Sequence, residues 1–157
     1  MRLEILVSDL LWVSPAREHE LSQVLSVFNE LLNESEYKDF VPSNVDEVFK
    51  ELIKQECVLS LREENGRIVG LLAYTLHENP YILFKKKFAQ ELVWCVLKPY
   101  RKHSKMLVAY LEQVAKEKGC TSVMLGAMYS SKSKVINRLY KSMGYNKFEE
   151  IFEKGIN

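Results

Sequence analysis

Cysteine, proline and glycine are all scarce in this 157-residue sequence, at three, four and six copies. The cysteines, Cys57, Cys95 and Cys120, are odd in number, far apart and each in an apolar setting. That argues against a disulfide framework and against a CxxC metal site. The three histidines, His19, His77 and His103, have no metal-ligand spacing, so no metal is expected. The chain shows no Gly/Ser linker, no low-complexity tract and no internal repeat of roughly 20–50 residues. No apolar run approaches the ~20 residues that span a bilayer. The start, Met1-Arg2-Leu3-Glu4, puts an acid in what would be the charged end of a signal peptide. The expectation is one soluble, cytoplasmic domain over residues 1–157, of ordinary globular composition at 47% hydrophobic and 27% charged.

The net charge of +1 hides a division. Residues 1–80 hold 7 Lys/Arg against 15 Asp/Glu, whereas residues 81–147 hold 14 against 3. Such asymmetry points to an anionic partner for the second half and a cationic one for the first. A solvated basic face without a partner reads the same way.

The periodicity alternates between strand and helix. Leu3 to Val13 reads as a strand, and Ser14-Pro15 as an N-cap with proline at the first helical position. Leu21, Val24, Leu25, Phe28, Leu31 and Leu32 then predict an amphipathic helix over residues 15–32. After Pro42-Ser43-Asn44, a second helix carries the stripe Val45, Val48, Phe49, Leu52 and Ile53. Cys57 to Leu61 and Ile68 to Leu76, joined around Glu64-Asn65-Gly66, form a hairpin. Asn79-Pro80 and the run Lys85-Lys86-Lys87 precede a strand over Glu91–Leu97, apolar on both faces as at the centre of a covered sheet. A third helix spans about Ser104 to Lys118, with Leu107, Tyr110, Leu111 and Val114 buried and Gly119 as its stop. Val123-Met124-Leu125 is a further strand. A fourth helix follows Ser130-Ser131, from about Lys132 to Met143, with Gly144 after it. Phe148 to Phe152 closes with a strand. The order β-α-α-β-β-β-α-β-α-β is that of a mixed α/β (α+β) fold.

The segment Val96-Leu97-Lys98-Pro99-Tyr100-Arg101-Lys102-His103-Ser104-Lys105-Met106 carries the strongest chemical signal. A strand ends, a basic loop follows and a helix begins at once. The first N–H groups of a helix lack intrahelical partners and sit in positive potential, which suits phosphate oxygens. Arg101, Lys102 and Lys105 add cationic charge, and His103 lies within the same loop. An ordinary strand-to-helix turn with solvated lysines fits the same pattern.

This segment resembles the pyrophosphate loop of the GNAT superfamily of acyl-CoA-dependent N-acetyltransferases, Arg/Gln-x-x-Gly-x-Gly/Ala after a central strand. Arg101 aligns with its first position, and Ser104 and Met106 with its two small positions. Tyr100 and Val96 match favoured aromatic and aliphatic positions. Leu139-Tyr140-Lys141-Ser142-Met143-Gly144-Tyr145 is similar to the family's Leu-Tyr-x-x-x-Gly-Phe/Tyr on its last helix, and Ser133 stands where many members carry Asn. The resemblance is firm over about residues 88–147. It implies a mostly antiparallel sheet splayed at a central parallel strand pair, with helices on both faces. It also implies acetyl-CoA as co-substrate, held by Val96, Leu97, Arg101, Lys102, His103, Ser104, Lys105, Met106, Ser133 and Tyr140. An amine acceptor and a homodimer formed through sheet edges belong to the same expectation.

Transfer to an amine needs a base for the amine proton and an acid for the leaving thiolate. Glu91 is the only acid on the central strand, near where several GNAT relatives carry a base-forming Glu. A carboxylate on an apolar strand has its pKa raised, which suits a general base; pairing with a lysine at the sheet edge is the alternative. Tyr140 matches the family's thiolate acid, against a core tyrosine on the helix stripe. Cys95 within its apolar strand reads as a structural thiol rather than a nucleophile. Lys85-Lys86-Lys87 between Phe84 and Phe88 would suit nucleic acid, although an exposed loop is the more economical reading. The acids Glu30, Glu34, Glu36, Asp39, Asp46 and Glu47 favour a cationic acceptor or form a solvated helix face. Two other functions remain open on sequence, a non-catalytic GNAT-like binding protein and a small basic nucleic-acid-binding domain.

Overall fold

The computed structural model describes residues 10–34, 44–78, 86–127, 132–148, 152 and 154–156. The chain divides after Gly126 into two compact units. The first carries β1 (Trp12–Pro15), a 3-10 turn (Glu18–Glu20), α1 (Leu21–Glu34), α2 (Val45–Lys54), β2 (Val58–Arg62), β3 (Ile68–Glu78), β4 (Lys87–Val96), a second 3-10 turn (Lys98–His103), α3 (Lys105–Glu117) and β5 (Ser122–Met124). The second carries α4 (Ser133–Ser142). This is a mixed α/β fold, as the periodicity predicts. Among the described residues, no helix is long and apolar enough to cross a membrane.

The strands form one sheet in the order β1-β2-β3-β4-β5, antiparallel throughout except for the parallel pair β4–β5. β2 is buried at all five positions and β3 from Ile68 to Tyr74. Successive side chains point to opposite faces, so both faces are covered here. α1 contributes Val24, Val27 and Phe28, and α2 contributes Phe49, Leu52 and Ile53. Phe28 and Phe49 meet with ring centroids 5.2 Å apart. α3 adds Leu107, Val108, Tyr110, Leu111 and Ala115, and it ends before Gly119, whose φ of +77° is the predicted glycine stop. On β3, Gly70 lets β4 come close: a Cβ there would stand 2.9 Å from Val96 Cγ2.

Several boundaries differ from the sequence reading. Ser14 and Pro15 are strand residues, paired with Ser60 and Leu59, and the α-helix starts only at Leu21. Proline lacks the N–H that a helix start leaves unused, but a sheet-edge strand tolerates that lack equally well. β4 begins at Lys87, which pairs with Glu78 (3.3 Å), so the lysine run leads into the strand. Phe88 is in the core at 3% exposure and is no platform for a base. β5 is half-buried and lies at Ser122–Met124, one residue earlier than expected. Residues 3–9 of the expected first strand, Pro42-Ser43, Asn79-Pro80, Phe84, Lys85 and Ser130-Ser131 lie outside the described residues, as does most of the expected last strand. Its ends, Phe148 and Phe152, are exposed and not in a strand.

One charged pair sits within the core. The Arg62 guanidinium donates to both Glu20 oxygens, at 2.5 and 2.7 Å, and to Ser14 Oγ at 2.9 Å. The Arg17 N–H also donates to Glu20 Oε2 at 2.8 Å, and the Trp12 ring lies 5.2 Å from the guanidinium carbon. The pair ties the turn before α1 to β2. Removing one partner leaves the other charge buried, so Glu20→Ala is expected to destabilise the fold by about 3–5 kcal/mol. Urea unfolding midpoints of the wild type and variant measure this. The Arg62 guanidinium holds the Glu20 carboxyl below its ordinary value, against the opposing effect of burial. The contribution is therefore complete above the unfolded carboxylate pKa of about 4.3 and is lost as pH falls through the lower folded value.

Candidate active site

β4 changes partners along its length. Phe88, Ala89 and Gln90 pair in parallel with Ser122, Val123 and Met124, and there the ladder to β5 stops. On the other side, Ala73 of β3 faces Val93 and Tyr74 faces Glu91, which leaves Leu92 without a counterpart. This is a β-bulge, a feature that bends a strand and concentrates beside active sites. Beyond Gln90, Glu91–Val96 have no β5 partner among the described residues. Leu92 is 47% exposed, and Val93 and Trp94 are half-buried. The continuous apolar run therefore marks a strand bordering an opening between diverging neighbours, rather than one covered on both faces as the sequence reading had it.

Glu91 sits at the point of divergence. Its Oε2 accepts the N–H of Gly126, just beyond β5, at 2.9 Å. Burial pushes its carboxyl above the ordinary carboxylate value, and the Gly126 N–H partly opposes that shift. No lysine pairs with it among the described residues. Cys95, two alternations further along, is buried with its thiol pushed up to about 12, chiefly by burial. It is a structural cysteine.

The basic segment lies at the other end of β4. Val96 closes the strand, and Leu97 N–H bonds to Val69 O at 2.8 Å. Lys98–His103 is a 3-10 turn with Pro99 near its start, entering α3 through Ser104 without an extended loop. This corrects the basic-loop expectation: with no glycine in the segment, nothing favours leaving helical dihedrals. The N–H groups of Tyr100, Ser104 and Leu107 bond within the turn, to Leu97 O, Arg101 O and Ser104 O. Lys102 and Lys105 are exposed, and His103, Ser104 and Met106 are half-buried. Arg101 donates through Nε to Val96 O at 3.2 Å and through Nη2 to Glu34 at the end of α1. Glu34 therefore stands beside the basic turn. A 460 Å³ cavity is lined by Glu30, Glu34, Arg67, Lys98 and Tyr100 among others, and reaches neither Glu91 nor Gly126.

In the second unit, Ser133 is the first residue of α4. Tyr140 is half-buried, with its ring centroid 6.4 Å from that of Tyr145. Tyr145 N–H bonds to Tyr140 O at 3.1 Å, after the helix has ended. Of the predicted residues, Glu91 and the Val96–Met106 segment share the first unit, at the two ends of the divergent stretch of β4. No motif in the sequence marks Gly126 as a partner of Glu91 or Glu34 as a partner of Arg101.

A sequence model described as the acetyltransferase (GNAT) family matches residues 25–145. The chain belongs to the GNAT acetyltransferase family. No curated protein matches. Among solved structures it is similar to an aminoglycoside acetyltransferase from an uncultured soil metagenomic sample, with 20% identity, a TM-score of 0.71, and 94% of this chain and 95% of that one covered. It is also similar to the aminoglycoside 6'-N-acetyltransferase of Acinetobacter baumannii, with 20% identity, TM-score 0.69, and coverage of 94% and 99%. The ribosomal-protein-alanine N-acetyltransferase of Brucella melitensis has 13% identity, TM-score 0.70, and coverage of 94% and 99%. These likenesses share the fold.

GNAT acetyltransferases use acetyl-CoA, and the chain has features that fit it. The stretch of β4 past the bulge offers a strand edge that an extended amide-bearing arm can pair with. Arg101, Lys102 and Lys105 bring positive charge to the start of α3, where a pyrophosphate would meet a helix N-terminus. Among the described residues, no group of three or more His, Cys, Asp or Glu is placed to hold a metal ion.

Proposed function

We propose that this protein is an N-acetyltransferase that moves the acetyl group of acetyl-CoA to a primary amine by direct attack in a ternary complex. The observation that carries this reading is the Glu91 carboxylate, half-buried and with no cation paired to it among the described residues, at the divergence of the parallel strands of a GNAT chain. Glu91 takes the proton of the amine, the nitrogen attacks the thioester carbonyl, the C–S bond breaks, and Tyr140 protonates the departing thiolate. The pyrophosphate meets the start of α3, with Arg101 turning from Glu34 to contact it and Lys102, Lys105, His103, Ser104 and Met106 around it. Ser133 is a further contact to the same cofactor in this reading. The domain spans residues 1–157.

The acceptor is a cationic amine. Glu30 and the first turn of α2, with Asp46 and Glu47, offer exposed carboxylates, and two similar structures are named for aminoglycoside acetylation. Three free cysteines, two of them buried, suit a reducing compartment such as the cytoplasm.

Incubation with acetyl-CoA and a panel of polyamines, aminoglycosides and lysine peptides is expected to release thiol and add an acetyl mass to one class. Acetyl-CoA raising the melting temperature without any turnover would instead favour a binding relative. Steep salt-dependent binding of random oligonucleotides with no response to acetyl-CoA would favour the nucleic-acid reading. Arg101→Ala is expected to weaken acetyl-CoA binding about tenfold or more, since one charge-assisted hydrogen bond contributes about 1.5–3 kcal/mol. Titration calorimetry of the two proteins reads this directly, and equal affinities would remove Arg101 from the site.

A further inference from the structure

We infer that the backbone N–H of Gly126 is the positioning group for Glu91, fixing one carboxylate oxygen across the gap between β4 and β5 so that the other faces the amine. The inference rests on the reading of Glu91 as the general base.

Several observations converge on this contact. The β4–β5 ladder ends at Gln90 and Met124, so the chain after β5 has left the register in which β4 carbonyls would take its donors. At that point the Gly126 N–H turns to a side chain, donating to Glu91 Oε2 at 2.9 Å. Glu91 Oε1 has no partner among the described residues. The residue at 126 is also a glycine, and a Cβ there would stand 3.4 Å from the same oxygen, in van der Waals contact with it. The bulge at Leu92 follows Glu91 directly on the same strand.

The physical consequence is twofold. A donor on Oε2 removes most of the rotational freedom of the carboxylate, and orientation of a reacting group is a large part of catalysis. The same donor favours the ionised form and opposes the desolvation that burial imposes. On β4 the titratable neighbour is the Cys95 thiol; on β3, Tyr74 pairs with Glu91 in register while its phenol donates to Glu56 O at 3.2 Å. Burial pushes both upward, so neither changes charge while a carboxyl titrates. From β5, α1 and α3, no titratable or charged group bears on the Glu91 carboxyl among the described residues.

The test is an NMR titration of the full chain. The Gly126 amide proton is expected to move downfield as the Glu91 carboxyl ionises, with the same midpoint as the Glu91 side-chain carbon signal. In Glu91→Gln the pH dependence of that amide should vanish. A Gly126 amide indifferent to the Glu91 titration would overturn the inference, whatever the outcome of activity assays. Gly126→Pro, which removes the N–H, is expected to move the acidic limb of kcat/KM upward by about one pH unit, the scale of one hydrogen bond to a carboxylate. A folded Gly126→Pro protein with its limb at the wild-type position would also overturn it. Loss of Glu91 as base is a separate result, seen as unchanged thiol release in Glu91→Gln.

Discussion

Glu91→Gln is expected to lower kcat/KM for amine acetylation by about 10²–10⁴-fold, the usual contribution of a positioned general base. Glutamine retains the shape and the oxygen that accepts the Gly126 N–H, so acetyl-CoA affinity should hold. The melting temperature at neutral pH should match or exceed that of the wild type. The reason is the upward shift of the Glu91 carboxyl, whose first cause is burial. A carboxyl raised in the folded state supports the fold fully only below its unfolded pKa of about 4.3, and that support is lost as pH rises through the folded value. An uncharged amide escapes this loss. The acidic limb of the kcat/KM profile should disappear with the carboxyl. Steady-state thiol release across pH, with calorimetric melting of both proteins, checks each part. A variant as active as the wild type would leave the chain without its proposed base.

Tyr140→Phe is the second large effect. If the hydroxyl protonates the leaving thiolate, its loss should reduce kcat by about 10²–10⁴-fold, while the ring preserves packing and acetyl-CoA affinity. The dependence on the leaving group adds a sharper reading. An acyl donor whose thiol is more acidic needs less assistance, so the variant should recover activity with such a donor more than the wild type gains. Destabilisation with intact turnover per folded molecule would instead make Tyr140 a packing residue of α4.

Much of the architecture is visible in one dimension because it depends on periodicity. Of the α3 stripe at helical spacing, Leu107, Tyr110 and Leu111 are buried as expected and Val114 is half-buried, and Gly119 ends the helix through its positive φ. The β2–β3 hairpin follows from two apolar runs around a turn at Gly66. Where the sequence reading fails, a residue has two equally good environments. Ser14-Pro15 suits a helix start or an edge strand, and only the pairing with Ser60 and Leu59 decides between them. The run Leu92-Val93-Trp94-Cys95-Val96 suits a covered strand or one bordering an opening. The difference lies in the bulge at Leu92, which comes from register with β3 and not from β4 itself.

The candidate site divides along the same line. By itself the sequence determined which residue types stand where: an acid alone on an apolar strand, a basic turn before a helix, and a tyrosine four residues before the glycine that follows α4. Those facts depend on spacing along one element, and spacing is written in the chain. Only the tertiary structure decided the partners. Glu34, sixty-seven positions before Arg101, takes its guanidinium, and Gly126, thirty-five positions after Glu91, holds its carboxylate. The buried pair of Glu20 and Arg62 spans forty-two positions. Contacts of that kind arise when elements pack, and electrostatics and hydrogen bonding act through space over a few ångströms without regard to separation along the backbone.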